Sequence, residues 1–270
     1  MSSKKERTIE MSLEIDVPSQ DVWKALTEAR ELVRWFPLRA EVEPRVGGRY
    51  WMSWEGAYEG ESRIEIFEPE RHLRTTWPAM TKDEGRPAEL AVDYHLEGKG
   101  GRTVLRLVHS GFGRGANWDE EYEGIHTGWA FELRSLRHYL ERHRGQDRRA
   151  IFLVGSQSGL SGPQVWERVV REGFGNPDPL DLAEGDRLCF PAGEGAVFEG
   201  RVLDFQPSRQ LAMTVEGLDD GIFRIEVFAA NAHLWLAAWG DGRDAVARFE
   251  RPWRDVLNRL FPGAGGRSGD

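Results

Sequence analysis

Residues 102–144 read RTVLRLVHSGFGRGANWDEEYEGIHTGWAFELRSLRHYLERHR, and the fold follows from this stretch. It opens as a strand with Leu105, Leu107 and His109 alternating to one side, breaks at Gly111, Gly113 and Gly115, and then turns helical. From Tyr122 onward, Ile125, Trp129, Leu133, Leu136 and Leu140 recur at steps of three and four, one apolar stripe on one long helix. Something wide must cover that stripe.

The residues before it supply the cover. Thr8 to Val17 alternates, with Ile9, Met11, Leu13, Ile15 and Val17 on one face and acids and serine on the other, which predicts a half-buried antiparallel strand. Pro18 ends it, and Ser19 is placed to cap a helix carrying Val22, Trp23 and Leu26. A second helical turn, ARELVRWF, stops at Pro37. Strands are then predicted at Arg39–Val42, Arg49–Trp54, Glu61–Phe67 and His72–Trp77, and Leu90, Val92, Tyr94 and Leu96 alternate before the Gly98-Lys99-Gly100-Gly101 hairpin. Helices segregated to one side of an antiparallel sheet make an α+β domain.

After the polar segment Gly145–Arg149 the same order restarts. PSQDVWKALTE at Pro18 is echoed by SGPQVWERVVRE at Ser161, and GGRYWMSWEGAYEGESRIEIFEPERHLRTTW at Gly47 by GDRLCFPAGEGAVFEGRVLDFQPSRQLAMTV at Gly185. These echoes pair Trp23 with Trp166, Gly60 with Gly200, Phe67 with Phe205, Pro69 with Pro207 and Leu73 with Leu211. Trp129, Leu133, Leu136 and Leu140 correspond to Phe249, Trp253, Val256 and Leu260, in a closing helix that Pro252 is expected to kink. Two domains are expected, 1–145 and 146–270, the second a degenerate copy whose interior Trp235 and Trp239 plug.

The order of elements, the LeuValHisSerGly strand end at Leu107–Gly111, the GlyTrp at Gly128 and Trp129, and the GlyGlyArgTyr and Pro-x-x-x-Leu turns together resemble the activator-of-heat-shock-chaperone-ATPase homologue (Aha-type) family. That family belongs to the START-like, or SRPBCC, helix-grip superfamily. The resemblance covers nearly all of the first half and, more faintly, the second. It implies two tandem helix-grip domains, each a curved antiparallel sheet around a long C-terminal helix, with a cavity that in many relatives takes a hydrophobic ligand.

Gly111-x-Gly113-x-x-Ala116 matches a loose dinucleotide fingerprint, but the strand beginning at Ile151 brings no acid for a ribose. His138 and His143 do not share a helical face and no HExxH spacing occurs, so no metal and no cofactor are expected. His109 and Ser110 point to opposite faces of a strand and cannot act as base and nucleophile. Asp119, Glu120 and Glu121 open the long helix, where acids complement its dipole.

No catalytic residue is assigned. The candidate ligand-binding set is Trp54, Trp77, Tyr94, His109, Trp129 and Leu133. The expected function is therefore non-catalytic binding of a small hydrophobic molecule in the first domain. The alternatives are a chaperone ATPase cofactor, against which the chain contains no Trp-His-Trp sequence like that of the true activators, or a cyclase- or lyase-type enzyme with His109 as base.

Composition sets the remaining bounds. A formal charge of −9 argues against general binding of nucleic acid or an anionic membrane. The arginines at 134, 137, 142, 144, 148 and 149 form a local basic cluster, read as complementing the end of the long helix. No signal-peptide core and no run of about 20 apolar residues is present, so a cytoplasmic protein is expected. Nothing in the sequence indicates a protein partner. The single cysteine, Cys189, excludes an internal disulfide and, between Leu188 and Phe190, is expected to be a buried, inert thiol.

Overall fold

The structure is a computed structural model that describes residues 7–55, 58–83, 86–157, 159–176, 181–193, 195–228 and 230–262, without the side chains of residues 83, 86 and 87. It separates into two compact units, Met1–Gly145 and Gln146–Asp270.

In the first unit the order is β1 (Arg7–Ile15), α1 (Ser19–Thr27), α2 (Ala29–Leu32), β2 (Arg39–Val42), β3 (Arg49–Ser53), β4 (Glu59–Glu68), β5 (His72–Asp83), β6 (Arg86–Lys99), β7 (Arg102–Phe112) and α3 (Asp119–Arg142). The seven strands form one antiparallel sheet in the order β1-β7-β6-β5-β4-β3-β2, so the first strand closes against the last and the rest is a meander. The α3 stripe, Trp129, Leu133, Leu136 and Leu140, is buried, as are the inward residues Leu105, Leu107 and His109 of β7. Helix and sheet thus share one core.

The second unit repeats this with β8 (Arg149–Ser156), α4 (Gly162–Glu167) continued by a wider π turn over Arg168–Gly173, β9 (Arg187–Gly193), β10 (Ala196–Gln206), β11 (Gln210–Val215), β12 (Gly221–Phe228), β13 (Asn231–Ala238) and α5 (Arg243–Leu260). Its order, β8-β13-β12-β11-β10-β9, is that of the first sheet without the outermost strand. The likeness of the two halves extends to irregularities. A register shift falls between Ile64 and Ile66 in the β4–β5 pair and between Val202 and Asp204 in the β10–β11 pair. Phe67 and Phe205 follow these shifts at the same offset. The residues after Pro69 and Pro207, Glu70 and Ser208, both adopt left-handed backbone, φ 58° and 59°. Bulges of this kind bend a sheet, and here they help it wrap a helix.

Several expectations change. Ser19 is the first residue of α1 and bonds Glu70 instead of capping; in the second unit Ser161 is the true N-cap, forming a capping box with Gln164. Strands β5 and β6 run well past the alternating residues, to Asp83 and from Arg86. Cys189 is exposed, because β9 is an edge strand that turns Phe190 and Ala192 inward and the cysteine outward. Pro252 lies inside α5, as the closing-helix reading placed it.

The interior of the second unit is filled, but not by Trp235. That ring packs on Phe152 and lies under the Arg148 guanidinium, on the opposite face from the inward Leu234 and Leu236. The filling is Phe174, Phe190, Phe198, Phe223, Phe249 and Trp253, all buried in one core with successive ring contacts. Trp253 donates its indole hydrogen to the Ala192 carbonyl at 2.8 Å, so the one polar atom of that set is satisfied.

A candidate ligand site in the first unit

Trp129 on α3 is the centre of an aromatic cluster. Its ring centroid lies 5.5 Å from Phe36, 6.0 Å from Tyr94, 6.2 Å from His109 and 6.4 Å from Trp77. Trp77 stacks on Tyr58, Tyr58 meets Trp54, and Trp54 returns edge-on to Phe36. The structure therefore joins five of the six expected residues through ring contacts. Leu133, the sixth, is buried one helical turn beyond Trp129 on the same stripe. Trp129 and His109 are 4% and 1% exposed, whereas Trp54, Tyr58 and Trp77 are half-buried. The cluster leads from the core outward.

Tyr58 and Phe36 were missed by sequence reasoning. Tyr58 lies in no alternating or helical run, and Phe36 closes the ARELVRWF turn, which is too short for its periodicity to mark an inward face. A signal existed at Gly60, because a Cβ there would sit 2.7 Å from the Tyr58 hydroxyl, so the glycine makes room for that ring.

The polar geometry is specific. Trp129 donates its indole N–H to His109 Nδ1 at 2.9 Å. An indole nitrogen only donates, so Nδ1 must accept, and the neutral imidazole carries its hydrogen on Nε2. Among the described residues neither the buried Nε2 nor the Tyr58 hydroxyl has a hydrogen-bond partner. Both groups border Trp77, with ring centroids 5.9 Å and 6.1 Å away. Burial pushes the His109 imidazole down to about 3, and burial together with the nearby Glu121 carboxylate pushes the Tyr58 phenol up to about 12. Near neutral pH both are uncharged hydrogen-bond donors.

Glu121 is more than a dipole-favoured acid. It is 4% exposed and accepts the backbone N–H groups of Met80 and Thr81 at 2.8 and 2.7 Å, tying the extension of β5 to the first turn of α3. Replacing it with Ala strands two donors that now meet a carboxylate. A loss of about 2–3 kcal/mol is expected in urea unfolding, with Glu121→Gln recovering part of it. A change below about 0.5 kcal/mol would show that the tie contributes nothing.

Two other histidines depart from expectation. His143 leaves α3 as its C-terminal cap and turns back, bringing its ring to 5.1 Å from His138. The second unit has no counterpart of His109. Its register position, opposite the third residue of the unit's first strand, is His109 against Ile9 in one sheet and Leu236 against Ile151 in the other.

A curved antiparallel sheet gripping a long closing helix defines a START-like, helix-grip protein, here with two such halves. Residues 16–141 match the model of the activator of Hsp90 ATPase homolog 1-like family. Among solved structures, protein MLL2253 from Mesorhizobium loti is 25% identical, with 51% of this chain and 99% of that one covered at a TM-score of 0.46. CalU16 from Micromonospora echinospora is 26% identical, covering 52% and 78% at a TM-score of 0.40. DynU16, a protein of the dynemicin biosynthetic locus, is 19% identical and covers 94% and 97% at a TM-score of 0.44. No curated protein matches the chain significantly. Among the described residues no helix is long and apolar enough to cross a membrane.

Proposed function

We propose that the first domain binds, without chemical conversion, a small and largely apolar molecule that carries a hydrogen-bond acceptor. The observation that carries this reading is the His109 Nε2–H, a buried donor held in place by Trp129 and left without an acceptor among the described residues. A buried polar group in that condition costs about 1–3 kcal/mol, which a ligand carbonyl, ether or hydroxyl oxygen recovers on binding. The surrounding rings supply the apolar contact that such sites use. Tyr58 adds a second donor toward the half-buried end.

The same atoms argue against the enzyme alternative. A general base needs an available lone pair and a pKa near the working pH. His109 has its Nδ1 lone pair engaged by Trp129, its Nε2 protonated, and a pKa of about 3. The match of residues 16–141 to the activator family is compatible with a chaperone-cofactor role as well.

A matched pair of probes tests the proposal. In calorimetric titration of the full-length protein, 2-acetylnaphthalene should bind about tenfold more tightly than 2-ethylnaphthalene, which has nearly the same shape and no acceptor. His109→Leu should abolish that preference while leaving the ethyl compound's affinity nearly unchanged. If neither compound binds, or the preference survives in His109→Leu, the aromatic set is ordinary core and the proposal falls.

A further inference from the structure

We propose that His72, Asp93 and His95 form a binding site for a divalent transition-metal ion of the zinc or cobalt class, on the face of the first sheet turned away from α3. Register places them. His72 of β5 lies opposite His95 of β6, and Arg74 opposite Asp93, so the two-residue period puts all four on one face. Tyr94, between the two β6 ligands, points the other way into the aromatic core.

The donor atoms already converge. His72 Nε2 is 2.7 Å from Asp93 Oδ1, the two imidazole rings stack at 4.1 Å, and one ligand atom from each residue lies within 4.8 Å of the others. Zinc–nitrogen and zinc–oxygen bonds of about 2.0–2.2 Å in tetrahedral geometry place ligand atoms about 3.4 Å apart, so small rotations of the side chains close the site. Asp93 is 6% exposed and its other oxygen is held by Arg74 at 2.7 Å, while Arg74 also bonds Glu65. This is the outer support that orients a ligating carboxylate. His72 and His95 are half-buried, so a fourth position stays open to water or a small ligand.

The second unit shows what these positions look like without such a function. The residues corresponding to His72, Asp93 and His95 by register are Gln210, Arg224 and Glu226. Arg224 bonds Gln210 at 2.7 Å and pairs with Glu226 at 2.9 Å. That copy is tied together by an arginine, and two imidazoles and a carboxylate replace the set in the first unit. Sequence spacing did not reveal the group, because its members meet only across a strand pair.

The test uses tag-free, full-length protein stripped of metal with a chelator. Titration with cobalt(II) should produce visible d–d absorption of a low-symmetry, four- or five-coordinate site, saturating at one equivalent and reversed by zinc. In calorimetry with zinc chloride, His72→Gln and His95→Gln should each weaken binding roughly tenfold or more. His138→Gln, which breaks the other close histidine pair, should leave the affinity unchanged. Asp93→Asn should also weaken binding, but since it disturbs Arg74 as well, the histidine variants and the wild-type cobalt spectrum decide. Absence of the cobalt bands in wild type, zinc binding unaffected in His72→Gln and His95→Gln, or binding lost in His138→Gln would each overturn the proposal.

Discussion

Truncating Trp129 to Ala should destabilise the protein by roughly 3–5 kcal/mol in urea unfolding, the cost of removing a large aromatic side chain from a packed interior. Trp129 is buried and touches four other rings, from β5, β6, β7 and the segment before β2, so no single neighbour can collapse into the space it leaves. The change also removes the donor to His109 Nδ1. Trp129→Phe should cost less, because most of the ring contact survives. Its specific effect is on the imidazole, whose tautomer is no longer set by an indole N–H. A loss below about 1 kcal/mol for the alanine variant would mean that the cluster is loosely filled around Trp129.

Acid should destabilise the wild-type protein through His109 in a window set by its two pKa values, 6.5 for the ordinary imidazole and about 3 in the fold. Between these, the unfolded chain binds a proton at this residue and the folded chain does not. Stability from this group is therefore fully present above about pH 6.5 and declines as pH falls, by at most about 1.4 kcal/mol per unit. By pH 4 the loss is about 3 kcal/mol. His109→Leu lacks the group, so its stability relative to wild type should improve by that amount between pH 7 and pH 4, measured by chemical denaturation. The comparison isolates His109 from carboxylates, which contribute equally to both proteins. Parallel profiles for the two would show that His109 takes up its proton as readily in the fold as in the unfolded chain, and that burial does not hold it neutral.

Both effects trace to a pair of residues that the linear chain keeps apart. His109 was marked by its place on the inward side of an alternating strand, and Trp129 by the helical stripe. Their hydrogen bond could not be read from either pattern, because it depends on how far α3 sits along the sheet. The same limit explains Tyr58, which comes from a loop, and Glu121, whose partners are backbone amides of a strand extension with no apolar alternation to announce it. Local rules also failed where edges and ends decide. Alternation around Cys189 correctly indicated a strand, but burial depended on whether that strand was central. His138 and His143 were separated by assuming that one helix contains both, and they meet because the helix ends between them.

Periodicity and order were enough for the α+β class, the long gripping helix and the repeated architecture, since each rests on spacing that a strand or helix imposes on neighbouring residues. The seven- and six-stranded sheets, the shared bulge and the aromatic filling of the second unit follow from pairings between residues far apart in the chain. So do the two features with functional content, the His109 Nε2–H that meets no acceptor among the described residues and the His72, Asp93 and His95 group. Register across strands is set by how a whole face of the sheet is buried. A side chain's polar partners are therefore decided only when every strand and the helix are in place.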